Sequence, residues 1–518
     1  MTDPVRLEAA PAGPRQYHAI VGMARNVSAR YVLVLLSVAV GFLMVRFNMR
    51  HLGQEAYGLW MLAASVTTYF TVLDLGYGTA VVKYIAEHRA RKDVRGINEV
   101  LSTMAFVFTG LGAVCFAAAI VTAVLLPVVF NVTAEQVWVG RIVLLLIALQ
   151  MSLTFPFAIF GSVTFAFERS DINDVTAIVF NVATAGVNIL VLQAGYGLVE
   201  LVTAMTLMRI LPVWVFRRNA YRVFPELQIR PAYFQRARLR ELTGFSVYAA
   251  VAEWSTRLTY ATGALYLGMF VGTAAVFIYS VGYRIAENLQ MLTEQLHTFM
   301  MPAVVHRAVD GDVDRQRALM VRATRLELGV AMGLCGVVAA LAGALIRAWL
   351  GPDVEGSIRV TQMLAILVVL RAGTDMSAIV LQGTGHHRFL AGAMAGAAVV
   401  NLITSVPLVY FLGVPGAAIG TVLSGAVSAA LIFPRSCQVV QLRVWAALGQ
   451  ILVPTLMPAV VAIVTVLALG RVLPEGLVFV LANLGVGGVV YAALFFVFGI
   501  DRQEREWLTA AYRRLLPA

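Results

Sequence analysis

Long apolar stretches recur from Tyr31 to Ile500, separated by short polar segments that alternate between arginine-rich and nearly arginine-free. A hydrocarbon core about 30 Å thick takes ~20 residues of helix, so this alternation predicts a chain threaded many times through a membrane. Fourteen helices are expected, at about 31–47, 56–80, 99–127, 138–165, 175–194, 198–216, 242–270, 274–300, 326–346, 359–382, 389–411, 416–434, 444–470 and 476–500. With the N-terminus inside, the inner segments hold 29 of the 39 Lys and Arg residues, and the outer loops keep only Arg50, Arg347, Arg359 and Arg471. The positive-inside rule then sets both termini in the cytoplasm.

Composition narrows the class. With 60% hydrophobic residues, 13% charged and a mean hydropathy of +0.82, the chain is an all-α integral membrane protein and hides no soluble domain. The net charge of +11 follows from the basic inner loops, which face anionic lipid headgroups. Those loops hold no recognisable nucleic-acid-binding module, so no nucleic acid is expected as a partner. Cys115, Cys335 and Cys437 lie far apart in apolar surroundings without metal-ligand spacing, and no metal or cofactor is expected. No short apolar core with a small-residue cleavage site precedes Val27, so the first membrane helix should serve as an uncleaved signal. Outer loops are turns of a few residues apart from 128–137 and 347–358, which leaves no room for an external catalytic site. The chain also lacks a GxxxxGK[ST] phosphate loop and a selectivity-filter repeat, against ATP-driven transport and against an ion channel.

The sequence repeats itself. Gly53-Gln54-Glu55-Ala56-Tyr57-Gly58-Leu59-Trp60 at the first outer turn has its counterpart in Gly272-Thr273-Ala274-Ala275-Val276-Phe277-Ile278-Tyr279, 219 positions on. Gly195-Tyr196-Gly197 and Gly413-Val414-Pro415-Gly416 give a shift of 218. A unit of six helices re-enters the membrane in the same orientation, which implies two parallel six-helix lobes with two further helices at the C-terminal end. The expected organisation is a tail at 1–27, a first lobe at 28–216, a basic cytoplasmic linker at 217–241, a second lobe at 242–434, the extra helices at 444–500 and a tail at 501–518.

His51-Leu52-Gly53-Gln54-Glu55-Ala56-Tyr57-Gly58-Leu59-Trp60, Leu73-Asp74-Leu75-Gly76-Tyr77-Gly78 and Lys83-Tyr84-Ile85-Ala86-Glu87 carry a resemblance. They resemble the opening of the polysaccharide-transporter, Wzx-like branch of the MOP flippase superfamily, related to the MATE antiporters and lipid II flippases. The resemblance implies a two-lobed transporter that moves a polyprenyl-pyrophosphate-linked oligosaccharide from the inner to the outer leaflet of a bacterial cytoplasmic membrane, with no enzymatic step. It further implies membrane lipids as surroundings, H+ or Na+ as a coupling ion, and a polysaccharide polymerase complex as a partner. A cation-coupled MATE-like exporter and a lipid II-type flippase are the alternatives. The first helix lacks the carboxylate that MATE antiporters commonly place there.

Ionisable side chains in mid-membrane ask for a partner or a water-filled cavity. Three pairs stand three or four residues apart, on one face of a helix: Glu253 with Arg257, Arg284 with Glu287, and Arg371 with Asp375. Two readings stand. They are local salt bridges, or Arg257, Arg284 and Arg371 converge on the cleft as pyrophosphate ligands with the acids as charge partners. Trp254, Tyr260 and Tyr283 are the sugar-facing candidates, since flat amphipathic rings suit stacking on sugars. Asp74, before Gly76 and Gly78, is a gate or coupling residue or part of an inner-surface network. Arg141 and Arg209 complete the charges expected within the first lobe.

Overall fold

A computed structural model describes the backbone at residues 14–70, 77–309 and 313–501, and side chains from 38 onward within these ranges except 79, 170, 240–250, 252–253, 256–258, 260, 295–309 and 315. Its first eight helices are α1 (Pro14–Phe70), α2 (Tyr77–Ala90), α3 (Val94–Val129), α4 (Ala134–Thr154), α5 (Ala158–Ala166), α6 (Ser170–Gln193), α7 (Leu198–Val223) and α8 (Arg236–Phe270). The chain continues as α9 (Thr273–Val309), α10 (Val313–Leu350), α11 (Gly356–Ala372), α12 (Asp375–Gly383), α13 (His387–Leu412), α14 (Val414–Val439), α15 (Val444–Gly470) and α16 (Leu477–Leu494). No strand occurs among the described residues. Ten helical stretches there are long and apolar enough to cross a membrane, α4 with α5 and α11 with α12 each counting as one. The apolar character of α9 is broken by Arg284, Glu287 and Glu294, which keeps it out of that set.

Val45–Gly499 forms one compact unit. Within it, α3 packs on α4, α6 on α7, and α5 on α2 and α7. In the second half α13 packs on α14 and α8, α11 on α9, α10 and α14, and α15 and α16 on α10. Elements recur in order. The nine-residue helices α5 and α12 begin 217 positions apart, and the 26-residue helices α7 and α14 begin 216 apart. Both pairs of landmark glycines hold positive φ: Gly53 (78°) with Gly272 (127°), and Gly195 (82°) with Gly413 (61°). A side chain at such a φ is strained, so the turn chemistry that marks the repeat in the sequence has a backbone cause.

In the span expected at 56–80, residues 71–76 lie outside the described residues, and Gly53 (φ 78°) divides α1 into two helices just before that span. Two expected spans are not single rods. The span at 138–165 is interrupted by the 3₁₀ turn Phe155–Phe157, where Pro156 has no amide to donate. The span at 359–382 breaks at Gly373 and Thr374, where the Thr374 hydroxyl donates to the carbonyls of Leu370 (3.2 Å) and Arg371 (3.0 Å). On the arginine-rich side the helices overrun the expected spans, so the non-helical part of the basic linker is 224–235.

That link is strapped to the start of α3. Asn98 donates to the Glu226 carbonyl and accepts from the Gln228 amide, both at 2.9 Å. Ser102 donates to Gln228 (3.3 Å) and accepts from the Arg230 amide (3.2 Å), and Thr103 accepts from the Gln235 amide (3.1 Å). All three side chains are buried, so these bonds satisfy groups that would otherwise be stranded away from water. Buried Glu99 adds ion pairs to Arg95 (3.0 Å) and to Arg238 at the start of α8 (3.6 Å). Asp93 caps α3. The amide of Gly96, 2.9 Å from one oxygen, and His88, 2.8 Å from the other, hold its carboxyl below the usual carboxylate range.

Candidate substrate cleft

Helix α9 is buried on most sides, yet Arg284, Glu287 and Met291 are exposed along one face. Spacings of three and four residues align these side chains into one open stripe, the candidate wall of a cleft. Arg284 Nη1 sits 2.7 Å from Glu287 Oε2. Opposite lies Arg209 of α7. It is exposed although Leu198, Leu201, Val202, Thr206, Pro212 and Val213, on the same half of that helix, are all buried. Arg209 therefore points into open space on the inward side, and it is within electrostatic reach of Arg284. Among the described residues it makes no ion pair. Both arginines stand 11 residues from the arginine-poor ends of their helices. That is roughly 16 Å along the axis, close to the middle of a bilayer core.

A second polar region surrounds the break between α11 and α12. Arg371 Nη2 lies 3.8 Å from Glu294 of α9, so this arginine reaches another helix. The helix breaks at Gly373 and Thr374, between Arg371 and Asp375, while Arg284 and Glu287 share one turn of α9. Arg371, Thr374 and Asp375 line a cavity of about 90 Å³ together with Ser255, Thr259 and Ser424. Such a volume holds about three waters. Fully buried Glu327 of α10 lies within electrostatic reach of Asp375, Glu294 and Arg371.

Of the other candidates, Tyr283 is half-buried and stacked at 6.3 Å on Tyr279, and Trp254 is half-buried on α8. Asp74 and the side chains of Glu253, Arg257 and Tyr260 lie outside the described residues. Arg141 has a structural task. It donates to the Ala123 carbonyl at 2.9 Å, the acceptor four residues before Pro127 that loses its helical amide partner to that proline. Sequence reasoning counted Arg209 as a membrane charge but left it outside the site, and it left out Glu294 and Glu327. Glu294 carried a signal, since it extends the stripe of Arg284, Glu287 and Met291 by one more step of three. Arg209 offered only its isolation in an apolar helix.

Comparisons with known proteins agree with this geometry. The family described as "Polysaccharide biosynthesis protein" matches residues 23–305. The probable flippase AglR of Haloferax volcanii is 29% identical over 181 residues, 33% of this chain and 37% of that protein. The uncharacterized membrane protein EpsK of Bacillus subtilis is 22% identical over 345 residues, 63% of this chain and 65% of its own length. The chain thus spans less than two thirds of either relative. Among solved structures, the lipid II flippase MurJ in an inward closed conformation superposes with a TM-score of 0.70 at 12% identity, over 90% of this chain and 98% of MurJ. An inward-facing multidrug resistance MATE family transporter of the MOP superfamily gives 0.66 at 16% identity, over 79% and 94%. At such identities the likeness is one of fold.

Proposed function

The chain belongs to the polysaccharide biosynthesis protein family, a multi-pass membrane protein, and on that premise we propose that it is a flippase for a polyprenyl-pyrophosphate-linked oligosaccharide. In this reading it works by alternating access in a bacterial cytoplasmic membrane, with the arginine-poor side outward. The observation that carries the proposal is the opposition of Arg209 and Arg284, from the two halves of the chain, at mid-membrane depth. Like charges facing each other in a membrane repel unless an anion lies between them, and one central charge costs about 2.5–3.5 kcal/mol even on insertion scales. A pyrophosphate offers oxygens on two sides, which suits a planar guanidinium fork from each half. Glu287 holds Arg284 until the anion arrives. Arg257 and Arg371 extend the basic surface, with Trp254, Tyr260 and Tyr283 on the sugar side.

Carboxylates gathered around Arg371 (Glu294, Glu327 and Asp375) support H+ or Na+ as the coupling ion, with Asp74 the candidate in the first half. The decisive measurement is flipping of a lipid-pyrophosphate-linked oligosaccharide in proteoliposomes, wild type beside Arg209→Ala and Arg284→Ala. Each variant should lose about tenfold or more, the loss of one or two charge-assisted hydrogen bonds. Wild-type protein that leaves this lipid in place and exports a cationic dye would instead make the chain a cation-coupled exporter.

A further inference from the structure

The two turns that mark the repeat touch one another. Tyr57 of α1 packs on Phe277 of α9, with ring centroids 5.2 Å apart. One residue on, Gly58 lies against the main chain of Thr273, and a β-carbon there would stand well inside van der Waals contact distance of the Thr273 carbonyl oxygen. Val276 and Leu59 beside this contact are buried. Polar bonds join the two halves around it: the Asn131 amide donates to Gly268 (2.9 Å), the Asn131 side chain to Val271 (3.3 Å) and Gln136 to Thr273 (3.4 Å), while Gln136 also donates to Glu55 (2.9 Å) within the first half.

We propose that these turns form the gate at the arginine-poor face, and that Gly58 is the positioning residue that lets it shut. Three features mark the contact as a gate and not a fixed core. Its polar bonds are few, and the one from the Asn131 side chain to Val271 is exposed, so water competes for it and it contributes little. Gly53 and Gly272, at positive φ, flank it at equivalent positions and give each turn a pivot. Tyr57, in the gate, lies within electrostatic reach of Arg284, so anion occupancy of the cleft alters the surroundings of a gate side chain. The proposal rests on the alternating-access reading above, but its first test, an accessibility measurement, does not need the substrate.

The test places a reporter cysteine at Val276 and adds a membrane-impermeant maleimide from the arginine-poor side. Labelling should be slow in the otherwise wild-type protein and rise about tenfold or more with Gly58→Ala, because the added methyl shifts the population away from the closed gate. Gly110→Ala, where a β-carbon meets nothing within 4 Å, should leave labelling unchanged. Unchanged labelling in a folded Gly58→Ala protein overturns the gate. If that variant is not recovered folded, a Tyr57→Cys/Phe277→Cys protein bridged by a short reducible thiol crosslinker decides. Transport arrested by the bridge and restored by reduction supports the gate, and transport indifferent to the bridge overturns it. Exposure of the reporter by Gly58→Ala in a protein that flips no lipid-linked sugar would sustain the gate while removing the substrate reading.

Discussion

The break at Phe155–Phe157 and the break at Gly373 and Thr374 interrupt equivalent helices of the two repeats, and they are filled with opposite chemistry. In the first half, Phe155 stacks on Phe108 at 6.2 Å, and Phe157 meets Phe160 at 5.8 Å and Trp214 at 5.9 Å. The proline supplies the interruption and packed rings stabilise it. In the second half no proline is needed. Thr374 takes up local carbonyls, and Arg371 and Asp375 face a small polar cavity. A shared backbone device has thus become a packing joint in one repeat and a polar pocket in the other. The two breaks differ most in the side chains that fill them.

The largest effect should come from the aromatic joint. Phe108→Ala removes a ring that is 1% exposed and is expected to cost about 3–5 kcal/mol, read as a lower thermal unfolding temperature in detergent. Flipping per folded molecule should survive. A Phe108→Ala protein that is stable but inactive would break the comparison, because it would give the first joint a transport role.

Arg371→Ala should do the reverse. Its ion pair with Glu294 is partly exposed, so stability should change by less than about 1 kcal/mol, while flipping in proteoliposomes falls about tenfold. Arg141→Leu sharpens the contrast between arginines. It strands the Ala123 carbonyl and should cost about 1–3 kcal/mol of stability with transport per folded molecule retained. Smallest of all, Ser424→Ala at the cavity wall loses a 2.7 Å hydrogen bond to the Ala397 carbonyl, worth about 1 kcal/mol by thermal unfolding.

Much of the architecture was legible in the sequence because apolar length and glycine turns are local signals. Gly53 and Gly272, or Gly195 and Gly413, can be recognised one turn at a time. Pro156 announced a disturbance in its helix for the same reason. The break at Gly373 carried no such mark, since Gly and Thr are common within membrane helices, and continuous helix was the natural reading of Arg371 and Asp375. The cleft was less legible still. Arg209 acquires meaning only opposite Arg284, and Arg371 only beside Glu294, and these are pairings between helices that no periodicity encodes. Arg141 shows the converse case. A charge in a membrane helix invites a ligand, but its neighbour across the helix pair was a carbonyl left open by Pro127.

The strap on α3 has a bearing on how this chain can vary. Asn98, Ser102 and Thr103 grip residues 226–235 through carbonyls and amides alone, groups that nearly every amino acid supplies. The connector's own side chains are left unread by these three residues. Its polar positions are therefore free to vary, provided its length holds and no proline falls where an amide is gripped, while buried Leu227, Phe234 against Phe106 and the three small polar residues beneath keep to their present identities.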